Sequence, residues 1–229
     1  ANELTLSTAI CKRGDKTPDV RKIQEWLYLD GFGLVIDGDF GPATEQAVKA
    51  FQAKKKMPVS GEVDVATFTA LSSPLKAAET GNGGTGQIGN RIVALARQHL
   101  QYHPREVGGQ NRGPWVRMYM EGREGKDWPW CAGFACFILR QVLRDQPTSL
   151  PIKPSFSCDE LAQRASSSGR LISGFHLVDP AATIKPGYFF LVRKSSTDWT
   201  HVGIVTKCQA ETIETIEGNT NDDGDREGY

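Results

Sequence analysis

Apolar positions recur at helical spacing twice in the first part of the chain. In "TPDVRKIQEWL", Val20, Ile23 and Leu27 form one stripe. Thr17 stands where an N-cap is expected, Pro18 at the first helical position and Asp19 in the first turn, while Asp30-Gly31 supplies the stop. "GPATEQAVKAFQ" repeats the design, with Pro42 first and Ala47, Val48 and Phe51 on one face. An internal echo runs beneath: Gly38 and Gly61 are each followed, five and six residues on, by an Ala-Thr pair. Two copies of a turn leading into a helix predict pseudosymmetric packing and not a solenoid, which needs about three repeats.

The pattern lapses at residues 72–90, "SSPLKAAETGNGGTGQIGN", where five glycines and small polar residues leave no apolar repeat to bury. We read a flexible linker over 76–89, a first domain over 1–75 and a second over 90–229. The second opens on an amphipathic helix, "RIVALARQHL", with Ile92, Val93, Leu95, Ala96 and Leu100 apolar. A Gly- and Trp-rich stretch follows, with a short helix expected near "WVRMYM". From Cys131 the spacing is helical again (Phe134, Ala135, Ile138, Leu139, Val142, Leu143). Three β-rich runs come last, at 187–192, 201–207 and 211–219, separated by polar connections, so the class predicted is α+β: a small helical domain, then helices packed on an antiparallel sheet.

Charge narrows the partners. With 27 basic and 27 acidic side chains the net charge is zero, and the one basic run, Lys54 to Lys56, reads as a solvated helix end, so no nucleic acid is expected. No apolar run approaches the roughly 20 residues of a bilayer span, and "ANELTLSTAI" has neither the charged nor the apolar part of a signal peptide. A start at Ala1 fits a mature form from which a targeting segment has been removed, or a start made for expression. A monomer is expected. The closing "NTNDDGDREGY" lacks the spacing of a calcium loop and reads as a solvated turn, so neither metal nor organic cofactor is expected.

Five cysteines, Cys11, Cys131, Cys136, Cys158 and Cys208, are too few for a disulfide scaffold and too scattered for a zinc site; under oxidation four of them pair in any of three ways. Cys131 falls in the first turn of its helix, where unpaired amides and the positive end of the dipole favour a thiolate, whereas Cys136 lies deeper among apolar neighbours and reads as core. A nucleophile also needs a base. His99 and His103 sit in or just past a helix and His176 has no pattern around it, but His201 opens a strand. An antiparallel neighbour brings Glu217 or Asn219 beside it, the geometry of an imidazole oriented by a third group.

Two resemblances build on these residues. Gly14, Val20, Ile23-Gln24, Leu27, Gly31, "DGDFG" at 37–41, Thr44, "AV" at 47–48, "FQ" at 51–52, Gly61, Val63, Thr67 and Leu71 together resemble the three-helix peptidoglycan-binding domain of many cell-wall hydrolases, over residues 7–73. This implies peptidoglycan as partner, with Asp37, Gly38 and Phe40, between the first two helices, as the expected substrate-binding residues. "WCAGF" at Cys131, "HVGIV" at His201 and "EGN" at Glu217 to Asn219 resemble the papain-like CHAP family of cysteine, histidine-dependent amidohydrolases and peptidases, over residues 88–229. It implies Cys131 as nucleophile, His201 as general base and then acid, Glu217 as the group orienting the imidazole, and Asn219 as an auxiliary polar residue. The family runs on into a further strand after the "EGN" turn, which this sequence does not supply. Together they imply an extracytoplasmic peptidoglycan amidase or endopeptidase, whether secreted, periplasmic or phage-delivered. The alternatives are a wall-binding protein with an inactive cysteine domain and a protein-directed cysteine protease.

Overall fold

A computed structural model describes residues 2–144, 149–173 and 177–220. His176 and the acidic end over 221–229 lie outside the described residues. The chain forms two compact units, the first made of residues 1–77 and 105–125, the second of 78–104 and 126–229.

The first unit holds strand β1 (Ile10–Cys11), helix α1 (Pro18–Leu29), α2 (Pro42–Lys54), strand β2 (Val63–Asp64), α3 (Val65–Leu71) and α6 (Pro114–Tyr119). Both prolines stand at the first helical position, as expected, and Asp30 caps α1 before Gly31 turns the chain at a φ of 96°. β1 and β2 pair antiparallel, Cys11 opposite Val63. The core takes Val20, Ile23, Leu27, Val48 and Phe51 from the predicted stripes and adds Phe68 and Leu71 of α3.

The internal echo has a physical cause. Gln24 and Gln52 are buried, and each holds one turn. The Gln24 side-chain carbonyl accepts from Gly38 N at 2.7 Å, and its amide donates to Asp39 O at 3.0 Å and Thr44 Oγ1 at 3.1 Å. Gln52 does the same with Gly61 N (2.9 Å), Glu62 O (2.8 Å) and Thr67 Oγ1 (3.4 Å). Both turn glycines stand at a φ of 77°, left-handed backbone that a side chain would strain.

The segment 105–125 joins this unit, whereas the sequence pattern assigns it to the second domain. Trp115 of α6 meets Trp26 edge to face at 6.2 Å. Arg117, half-buried beside them, donates to Glu25 at 2.6 Å, Glu3 at 2.8 Å and Glu124 at 2.8 Å. Burial alone would disfavour its charge; the carboxylates of Glu3 and Glu25 outweigh that and raise its pKa. These contacts join residues far apart in sequence, which periodicity does not register.

The expected linker is half helix. α4 (Ser73–Thr80) buries Leu75 and Ala78, and the division between units falls after Ala77, within it. In the second unit, α5 (Ile88–Leu100), α7 (Cys131–Leu143) and α8 (Cys158–Ser167) pack with a three-stranded antiparallel sheet of β3 (Phe189–Arg193), β4 (Trp199–Cys208) and β5 (Ile213–Glu217), with β4 central; a single-turn helix, α9 (Pro180–Thr183), precedes β3. The α+β class is therefore as predicted. Gln141 of α7 donates to the carbonyls of Ala78, Glu79 and Gly81 at 2.6–2.9 Å, closing the end of α4. Its own carbonyl lies 3.2 Å from His99 Nε2, and burial lowers His99 to about 4, a neutral core histidine.

Candidate active site

Register explains how the site forms. β4 and β5 pair with Gly203 opposite Glu217, so His201, two residues before Gly203, lies on the same face as a diagonal neighbour of Glu217. On the other side β3 sets Phe190 opposite Gly203 and Val192 opposite His201. A Cβ on Gly203 would stand 2.5 Å from Phe190 Cε1 and 2.7 Å from Glu217 Cγ. The missing side chain is what lets the carboxylate lie across β4. Glu217 Oε2 thereby comes 2.8 Å from His201 Nε2, and Thr215 Oγ1 donates to Oε1 at 2.6 Å.

Cys131 is the first residue of α7, as the sequence predicts, and is buried, as is His201; Glu217 is a quarter exposed. With His201 Nε2 engaged by Glu217, Nδ1 is the ring nitrogen left over, and it is buried without a hydrogen-bond partner among the described residues. The Cys131 thiol is held down to about 5 by a hydrogen bond from Cys158 and by the neighbouring His201 imidazole, which outweigh the burial that pushes it up. For His201 burial opposes the charge, yet the neighbouring Cys131 sulfur and the Glu217 carboxylate push it up to about 9. Glu217 is held below the usual carboxylate range, chiefly by His201. Both shifts favour the charged forms, a thiolate beside an imidazolium. Cys136, by contrast, is pushed up by burial, and its Sγ donates to Ser155 O at 3.4 Å, as befits a core residue.

Asn219, the fourth residue expected at the site, is buried at a φ of 61°, a left-handed position that Asn tolerates better than most residues. Its Oδ1 has no hydrogen-bond partner among the described residues. Gly218 brings the turn onto α7: a Cβ there would stand 2.8 Å from Phe134 Cβ and from the Trp130 ring. In the first unit the expected trio divides. Asp37 Oδ1 is taken up by Gln24 Nε2 and Asp39 N, and Gly38 N by Gln24. Phe40 is fully buried, so that expectation is corrected: its ring is core and presents no surface to a ligand.

Sequence reasoning overlooked Thr215, Gly203 and Cys158. For Cys158 a signal existed: "SCDE" from Ser157 to Glu160 is the Ser-x-x-Glu capping pattern, and Ser157 Oγ accepts from Glu160 N at 3.3 Å to start α8. That helix carries the Cys158 sulfur to 3.8 Å from Cys131 Sγ.

Comparison with known proteins places the first unit in a class. Residues 16–71 match the family described as "Putative peptidoglycan binding domain", so the first unit carries a peptidoglycan-binding module, which implies association with the cell wall. Among solved structures the chain is similar to a fused Zn-dependent amidase/peptidase/peptidoglycan-binding domain-containing protein from Clostridium acetobutylicum ATCC 824, with 37% identity over 27% of this chain and 28% of that one and a TM-score of 0.27. It is also similar to the SleB N-terminal domain, with 33% identity over 30% of this chain and 96% of that one and a TM-score of 0.29. The chain thus spans little more than a quarter of the Clostridium protein. No curated protein matches it. Among the described residues no helix is long and apolar enough to cross a membrane.

Proposed function

We propose that the second unit is a thiol amidohydrolase that cuts an amide bond of peptidoglycan, as an amidase or endopeptidase, while the first unit holds it to the wall. The observation that carries this reading is His201, bonded through Nε2 to Glu217, with its buried Nδ1 unpartnered and with a buried thiol, Cys131, at the start of the helix packed on the same strand. The Cys131 thiolate attacks the amide carbonyl and a C–S bond forms. First-turn amides of α7 face the developing oxyanion. His201 gives its Nδ1 proton to the leaving nitrogen as the C–N bond breaks. Water then attacks the thioester with His201 as base, releasing a carboxylate and restoring the thiolate. Glu217 acts through Nε2, fixing the tautomer and the ring plane. Asn219, with its free Oδ1 beside this cluster in sequence, is the auxiliary polar group, and the Asp37-Gly38 turn remains the proposed wall contact of the module. The amide class follows from the nucleophile and base; the module supplies the polymer and concentrates it locally.

The test is Cys131→Ala against Cys136→Ala on purified sacculi, with released fragments identified by mass spectrometry. Cys131→Ala is expected to lose at least about 1,000-fold in rate while still sedimenting with sacculi, and Cys136→Ala to keep most activity. Equal losses in both variants, or no fragments from the native chain, would overturn the reading.

A further inference from the structure

Cys158 has no part in the hydrolytic steps, yet it stands against the sulfur that carries them. Each of the two is the first residue of a helix, Cys131 of α7 and Cys158 of α8. Their sulfurs are 3.8 Å apart across 27 residues of chain, both are buried, and neither is in a disulfide. α8 is held in that place: Ser157 caps it, and Asp159 Oδ1 accepts from Trp199 N at 2.6 Å, tying its first turn to the start of β4. The remaining described cysteines do not compete for Cys131. Cys136 is bonded to Ser155 O, Cys208 ends β4, and Cys11 belongs to the first unit.

We propose that Cys131 and Cys158 form a redox modification site, at which a hydroperoxide converts the pair to a disulfide with Cys158 as the resolving thiol. For the loss of activity that follows, this rests on Cys131 being the nucleophile; the disulfide itself does not. The Cys131 thiolate attacks the outer peroxide oxygen, the O–O bond breaks, and the leaving alkoxide takes up a proton as alcohol, leaving a sulfenic acid. The Cys158 sulfur then attacks the Cys131 sulfur, the S–O bond breaks, and hydroxide leaves as water with the Cys158 proton. Two thiols and one hydroperoxide give one disulfide, one alcohol and one water. A dithiol reductant reverses it, so the nucleophile is shielded from the irreversible sulfinic and sulfonic steps.

The test treats the full chain with hydrogen peroxide, blocks the remaining thiols with N-ethylmaleimide and maps disulfides by peptide mass spectrometry, in the native chain, Cys158→Ser and Cys136→Ser. Cys136→Ser is included because Cys131 and Cys136 share one tryptic peptide, 127–140. A Cys131–Cys158 cross-link is expected in the native chain and in Cys136→Ser, undone by dithiothreitol, with wall lysis lost in proportion to the fraction linked. In Cys158→Ser, Cys131 is expected to run on to sulfinic acid. A native chain in which Cys131 reaches sulfinic acid without cross-linking, or in which Cys158 links to Cys136, overturns the proposal, and fragment ions within peptide 127–140 tell the two cysteines apart. A reversible Cys131–Cys158 link in a chain that never lyses walls would support the redox site and sink the hydrolase reading.

Discussion

Both units bury charge, and they do so to different ends. In the first, Arg117 is enclosed by Glu3, Glu25 and Glu124, and its guanidinium has no proton to give within the range of biological pH. In the second, Cys131 is brought down to about 5 and His201 up to about 9, so both groups exchange their protons at accessible pH. The amides of Gln24 and Gln52 are likewise committed on both oxygen and nitrogen, whereas His201 Nδ1 and Asn219 Oδ1 are buried without an oxygen or nitrogen partner among the described residues. Burial of polar groups is therefore no mark of function by itself. The distinguishing feature is the exchangeable proton, since buried polar atoms without a hydrogen-bond partner occur in the first unit too, at Glu3 Oε1, Thr17 Oγ1 and Trp26 Nε1.

Breaking the first side of this contrast is expected to have the largest effect. Arg117→Ala removes the counter-charge from Glu25, whose side chain is fully buried, and from Glu3, nearly so, and is expected to cost about 3–5 kcal/mol of stability. Denaturant unfolding of the full chain measures it, and a loss below about 1 kcal/mol would mean the carboxylates find water or protons instead. The same cluster governs how the module is tested. A truncation near residue 80 would strip 105–125 of Trp26 and Glu25, so loss of activity in such a fragment would not report on wall binding alone.

What the sequence disclosed, and what it withheld, follows the range of the interactions involved. Helix starts at Pro18, Pro42 and Cys131 and the three closing strands were legible because caps and periodicity act within a few residues. The His201–Glu217 pairing was legible too, since antiparallel register converts two strand positions into neighbours. Phe40 was misplaced because a turn motif does not disclose which of its side chains points inward. α4 was missed because Leu75 and Ala78 are too few apolar positions to stand out beside the glycines that follow. The allegiance of 105–125 to the first unit, and the approach of Cys158 to Cys131, depend on contacts across 92 and 27 residues that no local pattern encodes.

The second side of the contrast is sharpened by pH. A thiolate exists above about 5 and an imidazolium below about 9, so the rate of wall hydrolysis is expected to rise through the first value and fall through the second. Glu217→Gln preserves the shape of the contact and removes the charge that helps to raise His201. The charged imidazole is then less favoured, its pKa falls, and the alkaline limb moves to lower pH with a loss of about 10–100-fold near neutrality. A pH–rate profile of this variant with an unmoved alkaline limb would show that Glu217 does not set the state of His201.

The smallest effect is expected from Thr215→Val, which removes one hydroxyl and nearly preserves shape. Thr215 Oγ1 donates to Glu217 Oε1, leaving Oε2 directed at His201 Nε2, so it holds the carboxylate in the rotation that the imidazole needs. Glu217 is a quarter exposed, and water can replace the lost donor without fixing the same rotation. The expected cost is that of one hydrogen bond, about 1 kcal/mol or roughly a fivefold fall in kcat, with stability and wall binding close to those of the native chain. Thr215→Ser keeps the donor and is expected to restore most of the rate. A loss as large as that of Glu217→Gln, or no rescue by serine, would assign Thr215 a packing role and remove it from the chain of contacts that ends at the Cys131 sulfur.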